Sequence, residues 1–250
     1  MIKKNKSKSV EMDYSYLFGK RKFSNRIKRL LDIVLAVILL IMLIPFFILS
    51  VLCIYLFSGR PIFYFSKRRI ARNNIIQTYK FRTMHQDANS DKYKLNELYM
   101  VGGFLDIPIE SEVYTRIGRI LERTQLVETP QFLNILFDGM SFIGNRPLPE
   151  DNIKLLREYA NWEARFESPS GITGISQVIG KIYLNPVSRL KIESMYSEVY
   201  NSPSGNILKC DAFILYYTIK FVLTGIPLKY ETAVKILTFA NGGISLNGSI

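Results

Sequence analysis

Lys80 and Arg82, Arg116 and Arg119, and Arg146 are cationic side chains gathered on or beside short turns. Arginine forks match pairs of phosphate oxygens, and lysine adds a point charge. Taken singly, each reads first as a solvated face or a structural ion pair. As a set beside an apolar anchor, they point to a site that handles a diphosphate. Other chemistries are thinly equipped. His85 is the single histidine, so a His-based triad or a His-rich metal site would rest on it alone. No G-x-S-x-G, Walker lysine loop or G-x-G-x-x-G occurs. Cys53 and Cys210 show neither a metal-ligand spacing nor a disulfide framework, in keeping with a reducing compartment.

Something must hold those cations in place, and the dominant element is the apolar run Leu30 to Phe57. No charged residue follows Asp32 in it until after Phe57, which is long enough for a membrane helix. Pro45 falls in the middle, where it removes a backbone hydrogen bond. Asp32–Ile44 and Pro45–Phe57 would each span only ~20 Å as helix, short of a hydrocarbon core of roughly 30 Å. Both flanks are basic: Lys20, Arg21, Lys22, Arg26, Lys28 and Arg29 before, Arg60, Lys67, Arg68, Arg69 and Arg72 after. Positive flanks favour the cytoplasmic side, and a hairpin that dips into one leaflet and returns satisfies both. Ser50 is a candidate to cover the carbonyls such a break would expose. The alternative is an ordinary Pro-kinked transmembrane helix.

The formal net charge of +12 is concentrated beside this run, where anionic headgroups attract it. No nucleic-acid module accompanies it, so nucleic acid is not expected as a partner. The run begins behind a long basic leader with no small-residue cleavage site after it, which reads as a retained anchor. The expected organisation is a basic, partly disordered leader (1–29) with an aromatic patch at Tyr14, Tyr16, Leu17 and Phe18. The re-entrant hairpin (30–57), a core (58–230) and a C-terminal tail (231–250) follow. Within the core, strands are expected at Ile62–Phe65, Ile75–Met84 and Met140–Ile143. Helices are expected at Thr115–Arg123, from Thr129-Pro130 onward, and at Pro149–Phe166, Arg189–Tyr200 and Asp211–Leu223, the last with a leaning toward the membrane interface. Residues 86–111 read as a short helix with a mobile loop, and Ser168–Gly180 reads as a loop. The fold class is therefore α/β (α+β), a small membrane-anchored core with interfacial amphipathic helices.

Several runs in order carry a family resemblance. They are Arg29-x-x-Asp32, Lys80-Phe81-Arg82-Thr83-Met84 and Thr115-Arg116-Ile117-Gly118-Arg119. Further on come Glu128-Thr129-Pro130-Gln131-Phe132-Leu133-Asn134, Met140-Ser141-Phe142-Ile143-Gly144-Asn145-Arg146-Pro147, and Gly171-Ile172-Thr173-Gly174 with Gln177. Through them the chain resembles the bacterial sugar transferases, the monotopic polyprenyl-phosphate phosphoglycosyltransferases. The resemblance implies transfer of a sugar 1-phosphate from a UDP-sugar to undecaprenyl phosphate at the cytoplasmic face of the bacterial inner membrane, with glycan-assembly enzymes as possible partners. It also implies Glu128 and Lys80 as catalytic residues, Glu128 as a Mg2+ ligand, Arg82, Arg116, Arg146, Pro147 and Gln177 at the substrate, and Asp32 and Pro45 in the anchor. A covalent phosphosugar on an aspartate would divide one displacement into two.

The sequence departs from that pattern near the chemistry. The family's aspartate aligns with Val127, an upstream arginine with Glu122, the glycine after the anchor with Ala71, and the first proline of GPRP with Asn145; the acid of GDMS is displaced to Asp138. Three readings follow. An active enzyme would use Glu128, Asp138 or direct attack by the lipid phosphate. A non-catalytic relative would serve a glycan-assembly complex. A basic membrane scaffold would bind no substrate.

Overall fold

The computed structural model describes residues 23–71, 74–101, 104–180 and 183–244. The aromatic patch at Tyr14–Phe18, the basic residues Lys20–Lys22 and Arg72, and Gly102-Gly103 lie outside them.

Helix α1, Phe23–Ser58, runs unbroken through Pro45 and begins ahead of the expected anchor boundary. Its buried residues Asn25, Lys28, Asp32, Ala36, Ser50 and Ile54 form a stripe at helical spacing. Large apolar side chains such as Leu31, Ile41, Met42 and Leu56 stand exposed around the rest of it. This is one long apolar helix consistent with membrane anchoring. Residues 23–29, assigned to the leader in the expected organisation, belong to this helix, because their polar heads are claimed by the core. Lys28 Nζ donates to Ser141 Oγ (2.7 Å) and the Ile143 carbonyl (2.9 Å), and pairs with Asp211 (2.6 Å). Arg29 donates to the carbonyls of Met140 and Ile135. Asp32 accepts from Ser141 Oγ and the Phe142 N–H, so the anchor's aspartate is a joint to the core. Ser50 Oγ donates to the Phe46 carbonyl (2.7 Å), one residue past the proline.

Strands β1 (Phe63–Arg69) and β2 (Ile75–Phe81) form an antiparallel hairpin, in which Tyr64 faces Lys80, Ser66 faces Thr78 and Arg68 faces Ile76. Directly opposed residues share a sheet face, so Tyr64, Ser66, Arg68 and Lys80 point the same way. A 3-10 turn (Asp91–Tyr93), α2 (Leu95–Tyr99) and the short pair β3 (Met100–Val101) and β4 (Phe104–Leu105) occupy the polar stretch read as helix and loop. In α3 (Arg116–Arg123), Thr115 caps the helix by accepting from the Gly118 N–H (2.9 Å). A Cβ on Gly118 would sit 1.8 Å from the Thr83 carbonyl oxygen; glycine is what lets α3 dock there.

Pro130 does not open a regular helix. It lies inside a 3-10 segment, Leu126–Gln131, that leads into α4 (Phe132–Phe137). Strand β5 (Ser141–Ile143) pairs in parallel with β6 (Gly171–Thr173), within the stretch expected as loop. Backbone there approaches so closely that a Cβ on Gly171 would meet Gly144 N at 2.2 Å. The helix expected over Pro149–Phe166 is two pieces, α5 (Glu150–Leu156) and a 3-10 turn (Trp162–Phe166), separated where Asn161 takes a left-handed φ of 55°. Helix α6 (Ile175–Ile179) follows β6, and α7 (Pro186–Asn201) is the buried centre of the largest apolar cluster.

Helix α8 (Ile207–Thr224) buries Ile207, Cys210, Asp211 and Ile214 and exposes Leu215, Tyr216, Ile219, Val222 and Leu223. Helix α9 (Tyr230–Ala240) corrects the expected tail. Ala233, Leu237 and Ala240 recur on one face and are buried against the α7–α8 cluster, a pattern whose small residues hide it from a hydropathy reading.

Candidate functional site

The site grows from β2. Its outer edge is covered by Asn134 of α4, whose side-chain oxygen accepts from the Tyr79 N–H (3.1 Å) and whose nitrogen donates to the Gln77 carbonyl (2.8 Å). That amide imitates a neighbouring strand and fixes the 3-10 segment beside β2. Glu128 is thereby aimed at Lys80. Lys80 Nζ donates to Glu128 Oε1 at 2.5 Å. From the other side, Arg146 donates through Nη2 to the same oxygen at 2.5 Å and through Nη1 to Oε2 at 3.5 Å. Arg146 arrives on the loop after β5, where the Arg69 N–H donates to the Leu148 carbonyl (2.9 Å) and lays residues 146–148 against β1. Buried Pro147 stiffens that loop.

The electrostatics follow from this geometry. Burial alone would raise the Glu128 carboxyl, but Arg146 and Lys80 hold it far below the usual carboxylate range. Burial pushes the Lys80 ammonium below its ordinary value, against the pull of Glu128 and with the push of Arg146. Arg146 is raised by Glu128 against burial. Lys80 and Arg146 keep 23% and 28% of their side-chain surface exposed, against 12% for Glu128. The two cations are thus the part of the cluster that a ligand can reach, and the carboxylate is the clasp behind them. A second carboxylate, Glu122, is felt by both cations while it accepts from Thr83 Oγ (2.9 Å).

The sequence-predicted residues divide sharply. Lys80, Glu128 and Arg146 come together. Gln177 adjoins them: its Nε2 donates to the Ile172 carbonyl (2.7 Å), which Arg146 Nη1 also uses (3.1 Å), and its Oε1 is buried without a partner among the described residues. Arg82 does not face the site. Its guanidinium is spent on the carbonyls of Pro61, Met84, Ser58 and Gly59, tying the end of α1 to β2. Arg116 is exposed at the start of α3 and forms no ion pair among the described residues. Asp138 accepts from Asn134 Nδ2 (2.8 Å) at the far end of α4 and forms no ion pair with Lys80 or Arg146 among the described residues. Sequence reasoning missed Asn134 as an organiser and Arg68 as a member of the Lys80 face. Both needed the strand register.

Val127 is 3% exposed and packs with Ile54, Phe81 and Leu121. It faces the apolar seam under α1, so the segment presents one carboxylate to the cations, not two. A Mg2+ ion finds a poor donor set here. Among the described residues no three His, Cys, Asp or Glu side chains converge, and both Glu128 oxygens already accept from cations. Side chains alone thus form no cage for Mg2+ among the described residues; an ion shared with a substrate diphosphate would take Glu128 as its protein ligand.

The profile of the family described as bacterial sugar transferase matches residues 23–225. The exopolysaccharide production protein ExoY of Sinorhizobium fredii is 30% identical over 202 residues, 78% of this chain and 84% of that protein. The galactosyl transferase CpsE of Streptococcus agalactiae is 31% identical over 216 residues, 83% of this chain and 45% of that protein. A UDP-glucose:undecaprenyl-phosphate glucose-1-phosphate transferase of Caulobacter vibrioides is 33% identical over 158 residues, 61% of this chain and 54% of that protein. The chain therefore spans most of the first relative and about half of the other two.

Proposed function

The chain belongs to the bacterial sugar transferase family, a family of enzymes, and on that premise we propose that it moves a sugar 1-phosphate from a UDP-sugar to undecaprenyl phosphate. The product would start an exopolysaccharide, capsule or O-antigen. The observation that carries this reading is the Lys80–Glu128–Arg146 cluster, two reachable cations held on one buried carboxylate. The route its residues support is direct. A phosphate oxygen of the lipid attacks the β-phosphorus of the UDP-sugar, the bond from that phosphorus to the bridging oxygen breaks, and UMP leaves with the bonding pair. Lys80 and Arg146 offset the charge that collects on the leaving phosphate. Glu128 is a weak candidate nucleophile, since both its oxygens are engaged and its basicity is low. Val127 has no nucleophilic atom.

The setting we propose is the cytoplasmic face of the inner membrane, with α1 as a re-entrant anchor. Both ends of α1 are tied to one body, through Asp32 and Lys28 at its start and through Arg82 at its end, which supports placing both on one side. Cysteine labelling beside Arg21 and Arg69 should find the two accessible from the same side; opposite sides refute the re-entrant placement.

The burial of Val127 favours a second reading, in which the chain binds these ligands without turnover and serves as a partner in a glycan-assembly complex. UMP release from a panel of UDP-sugars with undecaprenyl phosphate separates the two. Release that collapses in Lys80→Ala and Arg146→Ala supports transfer. UDP binding without release across the panel selects the second reading, and neither binding nor release refutes both.

A further inference from the structure

Glu128 is bonded to Lys80 and Arg146, but a third cation on the same face has no such partner. Arg68 lies across from Ile76 on the side of the hairpin shared by Tyr64, Ser66 and Lys80. Its Nε donates to Ser66 Oγ at 3.0 Å, and Ser66 Oγ lies 3.0 Å from Thr78 Oγ1. Ser66 is nearer the Lys80 end of the hairpin, so this bond tips the guanidinium along the strand toward Lys80. The two terminal nitrogens of Arg68 have no partner among the described residues. On the neighbouring loop, the Arg69–Leu148 backbone bond brings Arg146 alongside β1. Burial pushes Arg68 below its ordinary value, and Arg146 pushes it the same way, against Tyr64 and Glu128. A half-buried guanidinium within electrostatic reach of a second one is unfavourable unless an anion compensates them.

We propose that Arg68 and Arg146 form a subsite for one phosphate group, a phosphate monoester or the outer phosphate of a diphosphate, with Lys80 at its edge. The proposal rests on the phosphate-handling reading of the Glu128 cluster and adds to it a binding residue that no family motif of this chain marks. Guanidinium forks accept such a group through paired N–H···O bonds. Two sources carry this chemistry: the diphosphate of a nucleotide and the phosphate of a polyprenyl lipid.

The test uses the full chain in phosphatidylcholine nanodiscs, as wild type, Arg68→Ala and Arg68→Gln. Calorimetric titration with UDP is one arm. The other is the shift in thermal midpoint when the nanodiscs also contain undecaprenyl phosphate. Loss of charge-assisted bonds should weaken UDP binding about tenfold or more in both variants, abolish the lipid-dependent shift, or do both. An effect on UDP alone assigns the subsite to the nucleotide, and one on the lipid shift alone assigns it to the lipid phosphate. The ligand-free variants should be no less stable than wild type, since an uncompensated charge has been removed; a lowered midpoint would make Arg68 a structural residue and overturn the proposal. Unchanged UDP affinity and unchanged lipid shift, in a wild type that binds both, overturn the subsite and leave the Glu128 reading intact. A wild type that binds neither overturns both.

Discussion

Replacing Glu128 by glutamine separates the clasp from the cations it holds. The carboxylate accepts from Lys80 and Arg146 at 2.5 Å each, and glutamine offers one uncharged acceptor in its place. Removing one member of a buried ion pair costs about 3–5 kcal/mol because its partners are stranded. Lys80 and Arg146 keep 23% and 28% of their surface in solvent and recruit water in part, so the lower end, about 3 kcal/mol, is expected. For a chain of this size that lowers the thermal midpoint by roughly 6–12 °C. The freed cations form a better anion site, so UDP at about a hundred times its dissociation constant should return about 2.7 kcal/mol, and the variant should gain more from added UDP than wild type does. Acid separates them further. Glu128 is depressed in the folded chain, so its contribution is present above the unfolded carboxylate value of about 4.3 and is lost as pH falls below it. The variant should lack that part of the acid slope. Thermal unfolding in one detergent, across pH and with or without UDP, measures all three. A variant as stable as wild type, with the same acid slope, would show that the carboxylate holds nothing and would refute the reasoning.

Four further outcomes are expected. Val127→Asp places a carboxylate among Ile54, Phe81 and Leu121 and should lower stability by about 3 kcal/mol; a midpoint equal to wild type would mean the new side chain turns out of the seam toward Lys80. Arg82→Ala strands the carbonyls of Ser58, Gly59 and Pro61 after α1 and that of Met84 past β2, so it should cost about 2–3 kcal/mol and leave UDP affinity unchanged, a contrast with Arg146→Ala that titration reads directly. Asn145→Ala should destabilise by about 1–3 kcal/mol, seen as a lower thermal midpoint, because Asn145 Nδ2 donates to the buried carbonyls of Arg165 and Glu193. Leu237→Ala should cost about 2–5 kcal/mol, since the residue is fully buried between α9 and its neighbours; no loss of stability would return residues 231–240 to a loose tail.

The cluster's membership was legible because it is carried by residue type: Lys80, Glu128 and Arg146 sit in motifs whose chemistry suits phosphate. What their companions do was not legible, because it depends on direction. Arg82 stands two residues from Lys80 and therefore on the same side of an extended strand. It lies past the end of β2, however, and turns to the carbonyls that close α1. Arg68 is four residues along β1 from the partner of Lys80, a relation fixed by a turn whose register sequence alone does not set. Helix α9 was missed because alanine dominates its buried face, and the strand at Gly171 because its one glycine works by allowing contact with Gly144.

The departures from the family pattern share a logic that single positions conceal. Asn145, where the family carries proline, uses its side-chain amide inside a buried network that also holds Ser168, Ser197 and Arg165. Glu122, where the family carries arginine, accepts from Thr83 beside Lys80. Ala71 is buried at the hairpin turn, and Val127 completes the seam under α1. Each replacement is absorbed by packing or hydrogen bonding, so the surroundings of the cations have been rebuilt and not merely eroded. A site that had lost its ligand would have no reason to keep three cations near one another at the cost of burial and mutual repulsion. An anion between the cations, as proposed above, would offset that cost whether or not the bond to phosphorus is still exchanged.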